Sequence, residues 1–149
     1  MDVRTYLARI GYNCPLAPTS DTLRALQRQH MLTVPFENLD IGLGREIVLD
    51  PERFVEKIVG QRRGGFCYEL NGAFATLLAA AGFRVTLLSA RVSNEQGIAG
   101  KEFDHLTLRI DLEDTWLGWP MSVSATTSWN RCGSSVSWNS TMRPGLPAH

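Results

Sequence analysis

Apolar residues recur three and four apart through the first 82 residues and then shift to alternation, so helices should give way to strands. "VRTYLARIG" starts a short helix that Gly11 ends. In "PTSDTLRALQRQHMLT", Thr19 or Ser20 is the candidate N-cap, and Leu23, Leu26 and His30 fall along one side. "VPFENLDIGLGREIVLD" reads as a loop with short extended pieces, because its proline and glycines break any helical repeat. "DPERFVEKIVG" predicts a clean helix, with Asp50 as cap, Pro51 in the first position and Phe54, Val55, Ile58 and Val59 on the buried face. Another helix is predicted over residues 67–81, with Leu70, Phe74, Leu77, Leu78 and Ala81 at helical spacing and Gly82 as its stop. "FRVTLLSARV" and "DHLTLRIDL" are strands rich in β-branched and apolar residues, joined by a glycine-containing loop at 93–102.

After Leu117 the pattern lapses. Residues 118–149 hold ten Ser or Thr, three of the four Trp, and Arg131 and Arg143 as the only charged side chains. No acidic residue follows Asp114, and no helical or strand period runs across the stretch. A flexible interaction segment has this composition; so does a stretch read in the wrong frame.

Bulk composition narrows the function classes. A chain of 149 residues with 44% hydrophobic and 20% charged residues is one domain's worth of length and can bury a core. Lys plus Arg equals Asp plus Glu at 15 each, with no basic run, which argues against nucleic acid or an anionic membrane as the main partner. No stretch has the length of a membrane span or the apolar core of a signal peptide. Cys14, Cys67 and Cys132 are too widely spaced for a disulfide framework or a zinc pattern, so no metal is expected. The simplest placement is the cytoplasm, with reduced thiols.

The candidate chemistry centres on "QRRGGFCYELNG", where Cys67 follows Gly64 and Gly65 at the start of the predicted helix. Unpaired N–H groups and the positive helix end favour an anion there, which would lower a thiol's pKa. The two glycines would let a substrate carbonyl approach the backbone, and the same N–H groups could hold an oxyanion. The plainer reading makes Cys67 a small hydrophobe in a turn.

A thiolate at neutral pH wants a base, and there are three histidines. His30 lies on a core-facing helix side and reads as packed or capped, while His149 ends the anomalous tail. His105 opens "HLTLRI", where alternation puts His105, Thr107 and Arg109 on one face and Leu106, Leu108 and Ile110 on the other. From a strand start it could aim its imidazole at a helix N-terminus; a half-exposed edge histidine fits the same pattern. Asp111, Glu113 and Asp114 follow it, none singled out by context as an orienting carboxylate. Arg63 and Glu69 flank the cysteine and read as a buried pair that fixes the loop, and "PFENLD" is either a pocket wall or a turn.

"PFENLDI", "RRGGFCYELNGAF", "GFRVTLLSARV" and "FDHLTLRIDL", in this order and at these intervals, resemble the arylamine N-acetyltransferases. The likeness runs through essentially all of residues 3–117. It implies an α+β fold with a papain-like cysteine-transferase arrangement: a helical domain at 1–82 carrying Cys67, and the first strands of a β-barrel domain at 83–117 carrying His105. The implied reaction is ping-pong acetyl transfer, in which acetyl-CoA acylates Cys67 and an arylamine or arylhydrazine nitrogen takes the acetyl group. Phe36 and Val92 match positions that line the acceptor pocket in that family. The family's third catalytic residue, an Asp in an "LADVGFG"-like segment, should follow Trp116 almost at once, and "TWLGWPMSVSATTSWNRCG" contains no Asp. The rest of the barrel and the third domain, which covers the site and helps hold coenzyme A, are also missing.

The genetic code offers an account of the mismatch. Read from the third base of the Gly118 codon, Trp119–Pro120 forces Ala, Met121–Ser122 permits Val and Trp129–Asn130 forces Glu. The remaining shifted codons through Gly133 permit "LADVGFGD-x-FLEPLR" without contradiction. Residues 118–149 are therefore expected to be an out-of-frame tail on a truncated, impaired transferase. Two other readings stay open: a Cys/His thiol hydrolase or transglutaminase-like enzyme, and a non-catalytic remnant that acts as a binding module.

Overall fold

A computed structural model of the protein describes residues 1–94 and 96–112, together with the backbone of two short strands at 122–125 and 136–141. Five helices precede a four-stranded antiparallel sheet. Helix α1 (Val3–Ile10) is capped by Asp2, whose carboxylate accepts from Arg4 N–H, and it ends at Gly11 with φ +70°, a conformation that glycine adopts without strain. Helix α2 (Ser20–Thr33) takes Thr19 as its cap. The 34–50 segment is not wholly a loop: Leu39–Gly42 forms one helical turn, α3. No side chain caps it, and glycines on either side of Leu43 keep it that short.

Helix α4 (Pro51–Val55) starts as the sequence predicts, on Asp50 and Pro51, but does not stay α-helical. Residues Glu56–Gly60 form a π-turn closed by Gln61 N–H to Glu56 O, and Arg62 follows at φ +53°. Lys57, within this π-turn, is buried among carboxylates. Helix α5 (Cys67–Ala80) matches its predicted span within a residue.

Strands β1 (Arg84–Val92) and β2 (His105–Asp111) pair antiparallel from Arg84↔Asp111 to Ala90↔His105. Two further strands come from the stretch that shows no strand period: β3 (Ser122–Ala125) on β2 and β4 (Val136–Thr141) on β1, giving the order β3-β2-β1-β4. Val123, Val136 and Thr141 suit strands, and the open edges of β1 and β2 supply the missing partners. The rest of 113–149, with Glu113, Asp114, Cys132 and His149, lies outside the described residues.

One core joins helices and sheet. Tyr6, Ile10, Leu23, Leu26, Ile58, Leu70, Phe74, Leu77 and Leu78 are fully buried with Leu108 and Ile110 of β2. His30 is in this core as expected, between the rings of Tyr6 and Phe74, with Nδ1 3.3 Å from Tyr6 Oη. Burial first, then the charge of Arg9, pushes its pKa down to about 4. Buried Arg9 ties the end of α2 to the π-turn and the loop after it by donating to the carbonyls of Thr33 and Ile58 at 3.0 Å each, and more loosely to those of Arg62 and Arg63.

Candidate active site

The loop before α5 is held from both sides. Its backbone runs beside residues 35–37: Phe36 bridges Gly65, Glu37 N–H donates to Gly65 O at 3.0 Å, and Gly65 N–H donates to Pro35 O at 3.3 Å. A Cβ on Gly64 would collide with the Pro35 carbonyl oxygen, so the close approach requires glycine there.

Beneath the loop lies an ion-pair network. Lys57 Nζ is 2.8 Å from both Glu69 carboxylate oxygens, 2.8 Å from Asp40 and 3.5 Å from Glu37. Arg63 reaches Glu37 at 2.8 Å and Asp40 at 2.9 Å, and Arg45 reaches Asp40 at 3.0 Å. Arg63 and Glu69 therefore do not pair with each other as the sequence suggests; each takes partners distant in the chain. Glu69 also accepts from Phe66 N–H at 3.1 Å, which ties the network to the first turn of α5. Arg63 and then Lys57 hold the Asp40 carboxyl well below the usual carboxylate range. Burial works against the Lys57 charge, yet hydrogen bonds from its ammonium to Asp40 and Glu69 prevail and raise its pKa.

Cys67 is the first residue of α5 and half-buried. Its pKa is raised, not lowered as helix-end electrostatics alone would have it. Burial is the largest influence, and it outweighs the N–H groups of Leu106, Tyr68 and Cys67 that pull the value down. His105 begins β2, also half-buried, and burial lowers its pKa against the pull of Asp104. Both groups thus favour their neutral forms, a thiol at the start of α5 and an imidazole at the start of β2. His105 Nε2 is buried without a hydrogen-bond partner among the described residues. Asp111, one of the three acidic candidates, lies 3.4 Å from Arg109, paired away from the imidazole.

The strand comes to the helix through Leu106. Its N–H faces the Cys67 thiol, and its carbonyl accepts from Asn71 Nδ2 at 2.6 Å. Cys67 and the start of β2 are thereby brought together. Phe36, 47% exposed, flanks Gly65, and half-buried Val92 ends β1 two residues past Ala90, the partner of His105.

Residues 19–123 match the family described as N-acetyltransferase. The chain belongs to the arylamine N-acetyltransferase family. It is 45% identical over 109 residues to an arylamine N-acetyltransferase of Escherichia coli K12, covering 73% of this chain and 39% of that relative. The Nocardia farcinica arylamine N-acetyltransferase structure superposes with a TM-score of 0.71 at 43% identity, over 77% of this chain and 40% of that one. The Mycobacterium marinum arylamine N-acetyltransferase solved in complex with CoA superposes at 0.70 and 35% identity, over 77% and 43%. This family member thus spans about two fifths of the length of the curated relatives it matches.

Several residues that shape the site escaped the sequence reading. Lys57 lies in the π-turn and is buried against Glu37, Asp40 and Glu69, and no reading of its own helix singles it out. Asp104 precedes the histidine, so a search for an acid after His105 passes over it, yet its charge acts on both Cys67 and His105. Asn71, one turn after Cys67 in "CYELN", had its signal in plain view: a buried amide on an apolar helix face needs a partner.

Proposed function

We propose that this chain carries the acyl-accepting half of an acetyl-CoA-dependent arylamine N-acetyltransferase. The observation that carries the reading is Cys67 at a helix start, its thiol facing the N–H that follows His105. His105 takes the thiol proton as Cys67 Sγ attacks the acetyl carbonyl of acetyl-CoA. The bond to the coenzyme sulfur breaks, and the departing thiolate receives that proton. An arylamine or arylhydrazine nitrogen then attacks the Cys67 thioester. The new C–N bond forms, the C–S bond breaks, and the nitrogen's proton passes through His105 back to sulfur. Phe36 and Val92 line the acceptor side, and Arg63, Gly64, Gly65 and Glu69 hold the loop. No metal enters the reaction.

The division into a helical domain (1–82), the start of a β-barrel (83–117) and an out-of-frame tail (118–149) belongs to the same reading. The family's Asp would orient the imidazole and fix its tautomer. Without it, His105 supports the thiolate poorly, and turnover should fall far below that of a complete relative. The test is acetylation of an arylamine by the 149-residue protein, followed by CoA release, with intact mass of the protein from its native source. Turnover matching a complete relative refutes the impairment. A native product of the 149-residue mass shows that the short chain is made, a shifted frame that meets a stop codon or loses the family's Asp segment refutes the frame assignment, and release of acetate without amine acetylation refutes the transferase reading.

A further inference from the structure

Two side chains of the cysteine helix grip the strand that carries the histidine. Asn71 Nδ2 donates to Leu106 O at 2.6 Å, and Tyr68 Oη donates to Phe103 O at 2.6 Å. The gripped carbonyls bracket His105, two residues before it and one after. Phe103 N–H donates to Ser89 Oγ of β1 at 3.0 Å, so both backbone groups of Phe103 are held by side chains. They hold it at φ +62°, a left-handed conformation that costs a non-glycine residue about 1–2 kcal/mol. The phenyl ring is 53% exposed, so ring burial is not what repays that strain.

Packing alone would not require these donors. Leu70, Phe74 and Leu77 of α5 already share a core with Leu108 and Ile110 of β2. β3 pairs with β2 from Leu108 to Asp111, so Leu106 lies beyond that ladder, and the helix supplies the donor for its carbonyl. The N–H of the same Leu106 faces the Cys67 sulfur. The nucleophile, the residue after it and the residue one turn on therefore act on one short backbone segment, and His105 is in its middle.

We infer that Asn71 and Tyr68 are positioning residues that set His105 against Cys67 by holding the carbonyls on either side of it. The inference rests on the acyl-transfer reading of the pair. In this arrangement "C-Y-x-x-N" encodes both the nucleophile and the mounts for its base. The mounts matter more here because the chain has no Asp in the segment where the family places its orienting carboxylate.

The test is the pH dependence of iodoacetamide alkylation in the full 149-residue protein, followed by mass spectrometry on the Cys67 peptide so that Cys14 and Cys132 do not contribute. His105→Ala and Asn71→Leu should each slow alkylation at neutral pH about tenfold, the value of one good hydrogen bond, in protein that circular dichroism shows to be folded. The double variant should be no slower than either single one, because both changes remove the same interaction. Tyr68→Phe, which loses only a hydroxyl from a half-buried ring, should give a smaller loss, about threefold, that vanishes in the His105→Ala background. It replaces Asn71→Leu should that variant not fold. An unchanged profile in a folded variant, effects that simply add, or a wild-type rate that His105→Ala does not alter would each overturn the inference. Alkylation needs no acetyl donor. A failure of the acyl-transfer reading shows separately, as wild-type protein that takes no acetyl group on Cys67.

Discussion

Lys57 and Glu69 face each other beneath the cysteine loop, the ammonium 2.8 Å from both carboxylate oxygens and both side chains about nine-tenths buried. Glu69 also receives Phe66 N–H, so one carboxylate joins the π-turn, the loop and the start of α5. Removing one partner of such a pair strands the other charge in a poorly solvated place. Glu69→Ala should therefore cost about 3–5 kcal/mol in urea unfolding. Glu69→Gln, which keeps an acceptor for Phe66 N–H, should cost less. Equal losses would place the stabilisation in charge pairing alone.

Gly64→Ala should be more damaging than its size suggests. The added methyl meets the Pro35 carbonyl oxygen, which already accepts from Gly65 N–H, and neither backbone can yield without breaking the 35–37 contact. A loss above about 2 kcal/mol is expected, with Cys67 alkylation moving toward that of an unstructured thiol. Thermal unfolding and peptide-resolved alkylation check both parts.

Acid should weaken the fold in two stages. The unfolded chain protonates His30 near its ordinary 6.5, but the folded chain does so only near about 4. Stability is therefore complete above 6.5 and drains away as pH falls toward 4, by at most about 3 kcal/mol. Asp40 acts lower down. Its folded carboxyl is depressed, so its contribution persists above the ordinary carboxylate range and is lost below it. Urea midpoints measured across this range should fall for the wild type and flatten between 6.5 and 4 for His30→Leu.

Restoring the reading frame at Gly118 should restore catalysis. The shifted codons from the third base of the Gly118 codon permit "LADVGFGD" in place of residues 118–125, which would include an acid for His105. Arylamine acetylation by the frame-restored protein should exceed that of the 149-residue chain on the order of ten-thousandfold, the scale of losing the orienting carboxylate in a triad. A premature stop in the shifted frame, or equal rates, would count against the frame assignment.

Much of this arrangement is legible in the sequence because local rules govern it. Thr19 and Asp50 cap helices as their side chains require, and strand alternation separates Leu106, Leu108 and Ile110 from His105. Cys67 and His105 stand out because glycines and a strand start frame them. The rest depends on long-range balances. The partners of buried Lys57 are carboxylates at 37, 40 and 69, all outside its own helix. The rise in the Cys67 pKa reflects the burial of the thiol in the folded chain, which no local motif expresses. β3 and β4 form because open sheet edges accept whatever chain lies near, whether or not it has a clear strand period.

The most direct measurement is the intact mass of the 149-residue protein after incubation with excess acetyl-CoA, compared with Cys67→Ala. A single acetyl group on the wild type, mapped to Cys67, forming faster as pH rises and absent from Cys67→Ala, is the expected result. A wild type that stays unmodified, or an acetyl group that persists in Cys67→Ala, would contradict the assignment of Cys67 as the acyl acceptor.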